Sequence, residues 1–241
     1  MKESHLFYTP DLPDRTLELP AEEAGHAIRV LRMREGDTLT LTDGLGTFSE
    51  ARITLASAKH CRFEVVRQWK DRKLWQGGIH LAVAPTKNMD RMEWLAEKAT
   101  EIGFDELTFL NCQWSERRIV KGERIEKILV SAMKQSLKAR LPKLNEMTDF
   151  TSFVKQPLSG QKFIAHCHDG EKQPLRQVLH PDEDALVLIG PEGDFSPDEV
   201  AEAIRQGFTP VTLGNTRLRT ETAALVAVHL MNLAHTNPTE V

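Results

Sequence analysis

The apolar residues in the first third of the chain recur with a period of two, which is typical of half-buried β-strands. Leu39 and Leu41 alternate with polar residues over 38–42, and a similar alternation returns over 48–55 and 61–65. The sequence GHAIRVLR, at 25–32, predicts a short helix before these strands. Several short strands separated by turns predict a small β-barrel.

From residue 79 onward, short apolar runs alternate with segments of helical periodicity. Strands are predicted over 79–84, 106–110, 162–165, 185–189 and 209–213, and helices over 90–102, 123–138, 171–179, 197–206 and 221–235. This alternation predicts an α/β domain with a parallel sheet covered on both faces. The intervening sequence WKDRKLWQGG marks a boundary, so we predict two domains, 1–74 and 75–241.

The amino-acid composition limits the classes of protein to which the chain can belong. The 241 residues are 40% hydrophobic and 27% charged, which is ordinary for a globular protein. The sequence contains neither the long apolar run of a membrane helix nor the apolar core of a signal peptide. The three cysteines are far apart and form no CxxC, so a reducing compartment, the cytoplasm, is expected.

One segment of this acidic chain is basic. The net charge is −4, yet residues 117–143 carry nine basic residues and only two acidic ones. Helical spacing places part of this charge on one face of the predicted helix 123–138, namely Arg124, Lys127, Ser131, Lys134 and Lys138. A solvated helix face is the simpler interpretation. Because acids do not alternate with these cations along the face, the sequence slightly favours a surface for RNA phosphates.

The strand ALVLIG leads directly into the loop Gly190–Phe195. Ser196 and Glu199 then have the spacing of a capping box, which predicts a helix start. Loops at the carboxyl ends of strands are where open α/β sheets bind ligands. An ordinary turn between strand and helix is the alternative. The sequence is neither GxGxxG nor a P-loop, so a nucleotide-phosphate site is disfavoured.

A second glycine-containing loop, 213–219, follows the next strand and precedes a largely apolar helix. Arg217, Arg219 and Glu221 stand where this helix begins, and buried charges are costly unless they are paired or used. A structural Arg–Glu pair is one explanation. Two glycine loops after consecutive strands favour a shared binding pocket.

The segments LIGPEGDFSPDEV and LGNTRLRTETAALVAV resemble the two signature loops of the RsmE family, which methylates N3 of a uridine in 16S ribosomal RNA. The segments HAIRVLRMREGD, KNMDRMEWLAEKATEIG and AMKQSLKARLP are also similar, in the same order. The resemblance implies a PUA-like N-terminal barrel and a SPOUT methyltransferase domain with a C-terminal trefoil knot. It also implies S-adenosylmethionine as cofactor, the small ribosomal subunit as partner, and a homodimer.

The resemblance also implies roles for particular residues. Arg219 is expected to hold the uridine or its negative charge, and Glu221 to act as the base or, preferably, to orient the arginine. The residues expected to bind the cofactor are His166, Ile189, Gly190, Gly193, Leu213, Gly214, Leu218 and Thr222. The residues expected to bind RNA are Arg32, Lys87, Arg91, Arg117, Arg124, Lys127, Lys134 and Lys138.

The chain departs from the family pattern at a few positions. Asp194 stands where a second glycine is common, Thr216 where an arginine is common, and Leu137 where a glycine is common; His5 replaces an N-terminal arginine. The segment 166–169 is rich in His, Cys and Asp, but adjacent side chains diverge on a strand, so no metal site is expected. Methylation of another RNA, such as tRNA at a ribose 2′-OH, and RNA binding without catalysis remain the alternatives.

Overall fold

The computed structural model of the chain describes residues 5–10, 12, 17–57 and 60–236. Two compact units are present: the first comprises Met1–Lys73 with Val130–Leu141, and the second Leu74–Leu129 with Pro142–Val241. This division differs from the predicted 1–74 and 75–241 chiefly because Val130–Leu141 groups with the first unit. Backbone contacts explain the difference, since the Ala139 carbonyl accepts hydrogen bonds from the Thr42 hydroxyl at 3.0 Å and the Gly46 amide at 2.9 Å.

The first unit contains a four-stranded sheet. Its strands, in spatial order, are β1 (Leu6–Tyr8), β2 (Thr38–Thr42), β3 (Thr47–Ala56) and β4 (Cys61–Lys70). β1 is parallel to β2, and the other pairs are antiparallel. The predicted alternation is confirmed, because Leu39 and Leu41 are fully buried. The helix begins earlier than predicted, as α1 (Ala21–Gly25), and continues as a π-helical turn over His26–Val30.

The second unit is built on a parallel eight-stranded sheet, which confirms the predicted α/β class. Its strands are β5 (Ile79–Val83), β6 (Glu106–Asn111), β7 (Lys143–Leu144), β8 (Thr148–Asp149), β9 (Gln161–Ala165), β10 (Gln173–Pro174), β11 (Ala185–Ile189) and β12 (Thr209–Thr212). Their spatial order is β10-β12-β9-β11-β5-β6-β7, with β8 also paired to β6. The two-residue strands were not predicted, because two residues carry no periodicity.

Within the described residues, six further helices follow α1. They are α2 (Met89–Ile102), α3 (Gly122–Gln135), α4 (Phe150–Val154), α5 (Leu175–Val178), α6 (Pro197–Arg205) and α7 (Thr220–His235). The predicted helix 123–138 ends three residues early, since Leu137 has a φ of 55°, which ends a right-handed helix. None of the helices in the described ranges is long and apolar enough to cross a membrane.

The register of the sheet brings three strand ends level. Ile189 of β11 pairs with Ala165 of β9, and Val211 of β12 pairs with the same Ala165. β11 is buried at every position, as expected for the interior of a parallel sheet. The loops that follow β9, β11 and β12 therefore leave the same edge of the sheet as neighbours.

Candidate functional site

A cavity of about 860 Å³ opens at the carboxyl ends of β9, β11 and β12. Its walls come from the loops that follow these three strands, from the start of α7, and from Arg91 of α2. This is the edge at which open α/β sheets bind ligands. The shared pocket predicted from the two glycine loops is thus present, with a third loop added.

Most of the residues predicted to bind a cofactor lie in this wall. The wall includes His166, Ile189, Gly190, Leu213, Gly214 and Leu218. It does not include Gly193 or Thr222. A Cβ built on Gly193 would lie 3.5 Å from the Cβ of Trp114, so this glycine borders a tryptophan. The sequence motif placed both residues near the pocket but could not show which way the backbone faces.

Gly190 is required by its own loop. A Cβ at this position would lie 3.0 Å from the backbone nitrogen of Phe195 and 3.1 Å from its ring. The ring of Phe195 is fully buried in the core and cannot move aside easily. The family resemblance implies cofactor binding by Gly190, and the fold of the loop also requires a glycine here.

Gly214 is different, because its constraint is conformational. Its φ of 143° is one that residues with a side chain rarely adopt, and no atom lies within 4 Å of a built Cβ. Gly214 is one of the residues that line the cavity. The backbone is held by Thr212, whose hydroxyl donates to the Gly214 carbonyl at 2.8 Å.

The helices that leave the loops are anchored by hydrogen bonds. Ser196 and Glu199 form the predicted capping box at the start of α6, with the Ser196 side chain accepting from the Glu199 amide at 3.2 Å. At the start of α7, the Thr220 hydroxyl donates to the Gly190 carbonyl at 3.1 Å. This bond ties the loop after β12 to the loop after β11. Thr220 was not among the predicted site residues, although it lies between Arg219 and Glu221, which were.

His166 is one of the residues that line the cavity. Both of its ring nitrogens are buried and have no hydrogen-bond partner. Burial lowers the pKa of this histidine, and the nearby ammonium of Lys172 lowers it further. The ring is therefore neutral at pH 7, with one nitrogen able to donate a hydrogen bond and the other able to accept one. Buried polar atoms are rarely left without a hydrogen-bond partner in proteins.

Glu221 is paired with an arginine that the sequence analysis had assigned to RNA. One carboxylate oxygen of Glu221 lies 3.2 Å from Nη1 of Arg91, and the Glu221 side chain is only 10% exposed. The other oxygen is buried and has no hydrogen-bond partner. Arg219 lies in the same cavity wall, with its side chain exposed. Glu221 is thus held by Arg91 rather than by Arg219.

The sequence of the chain matches known domain families and known proteins. The family described as the RNA methyltransferase domain matches residues 73–232, and the RNA methyltransferase PUA domain matches residues 19–66. A ribosomal RNA small subunit methyltransferase E from Mycobacterium bovis is 31% identical over 237 residues, covering 92% of this chain and 89% of its own. The chain belongs to the ribosomal RNA small subunit methyltransferase E family.

Solved structures of similar proteins agree with this membership in the methyltransferase E family. A probable rRNA methyltransferase from Porphyromonas gingivalis has a TM-score of 0.91 and 45% identity, covering 96% of this chain and 98% of its own. A ribosomal RNA small subunit methyltransferase E from Neisseria gonorrhoeae, bound to S-adenosyl methionine, has a TM-score of 0.83 and 29% identity, covering 95% of this chain and 97% of its own. The SPOUT-like parallel sheet and the PUA-like N-terminal domain are thus those of the family.

The basic residues predicted to bind RNA are largely engaged with the protein. In the second unit, Arg124 holds the Glu93 carboxylate through two nitrogens, at 2.5 and 2.8 Å. Lys87 pairs with Glu116 at 3.0 Å, and Arg117 donates to the Lys87 carbonyl at 2.7 Å. The helix face itself carries no neutralising acids. Acids on other elements of the structure pair with its cations instead.

The remaining members of this set are divided between the two units. Lys134 pairs with Glu23 of α1 at 2.5 Å, and the two side chains are only 20% and 11% exposed. This lysine therefore belongs to the interior of its unit. Lys138 is half-buried, and Arg32 is exposed in a left-handed conformation with a φ of 56°. Lys127, in the second unit, is exposed. The described ranges contain no group of three potential metal ligands.

Proposed function

We propose that the protein methylates N3 of a uridine in 16S ribosomal RNA, using S-adenosylmethionine, with the small ribosomal subunit as its substrate. The observation that carries this proposal is the cavity at the ends of β9, β11 and β12, whose wall combines glycine loops with Arg219 and Glu221. Family membership and the S-adenosyl methionine bound to the Neisseria gonorrhoeae relative support the choice of cofactor.

The residues present fit such a cofactor. The unpaired nitrogens of His166 and the open space beside Gly214 leave polar atoms and room within the same wall. The residues that would hold the cofactor are His166, Ile189, Gly190, Leu213, Gly214 and Leu218. When bound, S-adenosylmethionine supplies a methyl group that is activated by its sulfonium. Gly193 would act indirectly, through the loop after β11, and Thr222 through the first turn of α7.

The chain's own residues then have to prepare the uracil. N3 carries a proton and is a poor nucleophile until that proton leaves, so the site needs an acceptor and a stabilising cation. The unpaired oxygen of Glu221 is suited to accept the proton, since Arg91 already holds its other oxygen. Arg219, in the same wall, would stabilise the negative charge that develops on the uracil. N3 lies on the Watson–Crick edge, so the uridine must be unpaired or flipped into the cavity.

A trefoil knot is proposed for the C-terminal part of the second unit. β12 lies on the far side of β9 from β11, yet α7, which follows β12, packs against β11 and β5. The chain must therefore cross back over β9, and the Thr220–Gly190 hydrogen bond joins the two segments that would thread. This crossing supports the knot that the family resemblance implies.

A homodimer and an RNA-binding role for the N-terminal unit complete the proposal. The second unit exposes large apolar side chains, including Trp94, Trp114 and Ile119, which are 43%, 43% and 78% exposed. Such side chains are often covered by a partner, and light scattering would give the oligomeric mass.

The match of residues 19–66 to a PUA domain supports RNA binding by the N-terminal unit. Ribosomal RNA as substrate implies action in the cytoplasm.

The decisive experiment compares possible RNA substrates. The protein is incubated with S-adenosylmethionine and with undermethylated 30S subunits, free 16S rRNA or tRNA, and the products are digested to nucleosides. We expect N3-methyluridine, formed fastest on 30S subunits, because the limited basic surface of the chain favours recognition of an assembled shape. A ribose-methylated nucleoside, or faster reaction with tRNA, would contradict the proposal. Absence of S-adenosylmethionine binding would favour RNA binding without catalysis.

A further inference from the structure

Two loops of the cavity wall are joined by the side chain of Asp194. This residue lies in the loop after β11, and one of its carboxylate oxygens accepts a hydrogen bond from the amide of Cys167, in the loop after β9, at 2.7 Å. The other oxygen accepts from the amide of Phe195 at 2.8 Å. Both oxygens are thus used, one within its own loop and one across to the neighbouring loop.

The backbone of Asp194 is in a conformation that needs support. Its φ of 68° is left-handed, a region that aspartate tolerates better than most residues but at a cost. The Asp194 amide donates to the Pro191 carbonyl at 2.9 Å, which closes the turn. Phe195, the next residue, is fully buried in the core. The carboxylate therefore projects from a turn that is fixed at its base.

The loop after β9 is restrained from further directions. The ammonium of Lys172 donates to the carbonyls of His166 and His168, at 3.0 and 2.6 Å. A ring nitrogen of His168 lies 2.6 Å from the Phe195 carbonyl, within hydrogen-bonding distance. His166 and Cys167 both line the cavity. The short loop that carries the unpaired imidazole is therefore held by Asp194 on one side and by Lys172 on another.

We propose that Asp194 is a positioning residue that latches the loop after β9 to the loop after β11 and so preforms the cavity. A preformed site binds more tightly, because the ligand does not have to order the loops. Asp194 itself also lines the cavity, and the latch acts through His166 and the backbone around it. That the ligand is S-adenosylmethionine rests on the proposed function.

Two substitutions separate the latch from the turn. Asp194→Gly keeps the left-handed backbone, which glycine adopts readily, and removes both acceptors. Asp194→Asn keeps one carbonyl acceptor and replaces the other oxygen with an amide NH2 group, which cannot accept a hydrogen bond from a backbone amide. Asp198→Asn is the matched control, since Asp198 is an exposed acid of the first turn of α6 and loses the same charge.

The first measurement is hydrogen exchange in the ligand-free protein, followed by mass spectrometry on a peptide that covers residues 164–172. We expect faster exchange in Asp194→Gly than in the wild type, because the Cys167 amide loses its acceptor. Asp194→Asn should lie between the two, and Asp198→Asn should match the wild type. Unchanged exchange in Asp194→Gly would overturn the latch, whatever the ligand of the cavity is.

The second measurement is the affinity for S-adenosylmethionine by isothermal titration calorimetry. We expect the Kd to rise about tenfold in Asp194→Gly, the scale of one hydrogen bond to a charged acceptor, with kcat at saturating cofactor nearly retained. Faster exchange with an unchanged Kd would show that the latch does not position the ligand, and would overturn that part of the proposal. If the wild type itself binds no S-adenosylmethionine, the proposed function fails, and hydrogen exchange still decides the latch.

Discussion

The two glycines that line the cavity serve different physical purposes. Gly190 has no room for a side chain, since a Cβ would press on the backbone of Phe195 at 3.0 Å. Gly214 has room but a φ of 143°, which only glycine adopts easily. Substitution of the first therefore disturbs a buried loop, whereas substitution of the second reshapes an exposed one.

This difference predicts a larger loss of stability for an alanine at Gly190 than for one at Gly214. Gly190→Ala should lower the free energy of unfolding by about 1–3 kcal/mol, because overpacking displaces the loop from the core. Gly214→Ala should weaken S-adenosylmethionine binding while lowering the melting temperature less, since the exposed loop relaxes by moving. Thermal unfolding and calorimetry on both variants test this. Equal losses of stability would contradict the distinction.

The pair formed by Arg91 and Glu221 leads to a second prediction. Removal of Arg91 leaves a carboxylate that is largely buried without its cation, so Arg91→Met should destabilise the protein more than Glu221→Gln does. In a double-mutant cycle, unfolding free energies should show a coupling of about 0.5–3 kcal/mol. If Glu221 accepts the uracil proton, Glu221→Gln should lower kcat strongly with little change in cofactor affinity. A coupling near zero would mean that the pair does not act as a unit.

At the scale of elements, α3 shows how a pattern on one helix can mislead. The face that carries its cations has no acids of its own, yet Glu93 pairs with Arg124 and Glu23 pairs with Lys134. Because these acids belong to α2 and α1, helical periodicity alone could not reveal them. Exposed and buried lysines of the same helix therefore have different expected roles.

Substitution of two lysines of α3 distinguishes these roles. Lys127→Gln, at an exposed position, should reduce the log–log salt slope of RNA binding by about 0.7–0.9, the counterions released by one phosphate contact. Lys134→Gln should leave that slope unchanged and lower the stability, because Glu23 loses its buried partner. RNA titrations at several salt concentrations and chemical unfolding give the two readouts. The double variant Glu23→Gln/Lys134→Gln, which removes both charges, should recover part of the stability.

At the scale of the whole molecule, the first unit is assembled from two parts of the chain. Val130–Leu141 belongs to it together with Met1–Lys73. The Leu141 amide donates to the Gly44 carbonyl at 2.9 Å, and the Ala139 carbonyl serves both Thr42 and Gly46. A fragment that ends near residue 74 therefore loses three hydrogen bonds and the packing of this segment at the β2–β3 turn.

We accordingly predict that residues 1–74 alone do not form a stable domain. Each lost hydrogen bond removes about 0.5–1.5 kcal/mol, and together they are a large part of the stability of so small a unit. The same residues joined by a flexible linker to 130–141 should fold cooperatively. Circular dichroism with thermal unfolding compares the two fragments. A cooperative transition in the shorter fragment, at the same temperature as in the longer one, would show that the segment is dispensable.

The long elements were predictable because their periodicity is strong and local. The strands at 38–42 and 185–189 have the predicted bounds, and α2, α6 and α7 lie within one residue of the prediction at each end. The capping box of α6 was also readable, since its partners are three residues apart. The two-residue strands and α4 were missed because they are too short to show a period.

The sequence by itself determined the class of the fold, the two glycine loops and, through the resemblance of those loops, the family. Only the tertiary structure decided which side chains meet: Glu221 with Arg91, Lys134 with Glu23, and Asp194 with the amide of Cys167. The physical reason is the separation of the interacting residues along the sequence. Periodicity and capping depend on residues a few positions apart, whereas these pairs are 130, 111 and 27 positions apart and form only when the sheet brings its edges together or α1 packs in its unit.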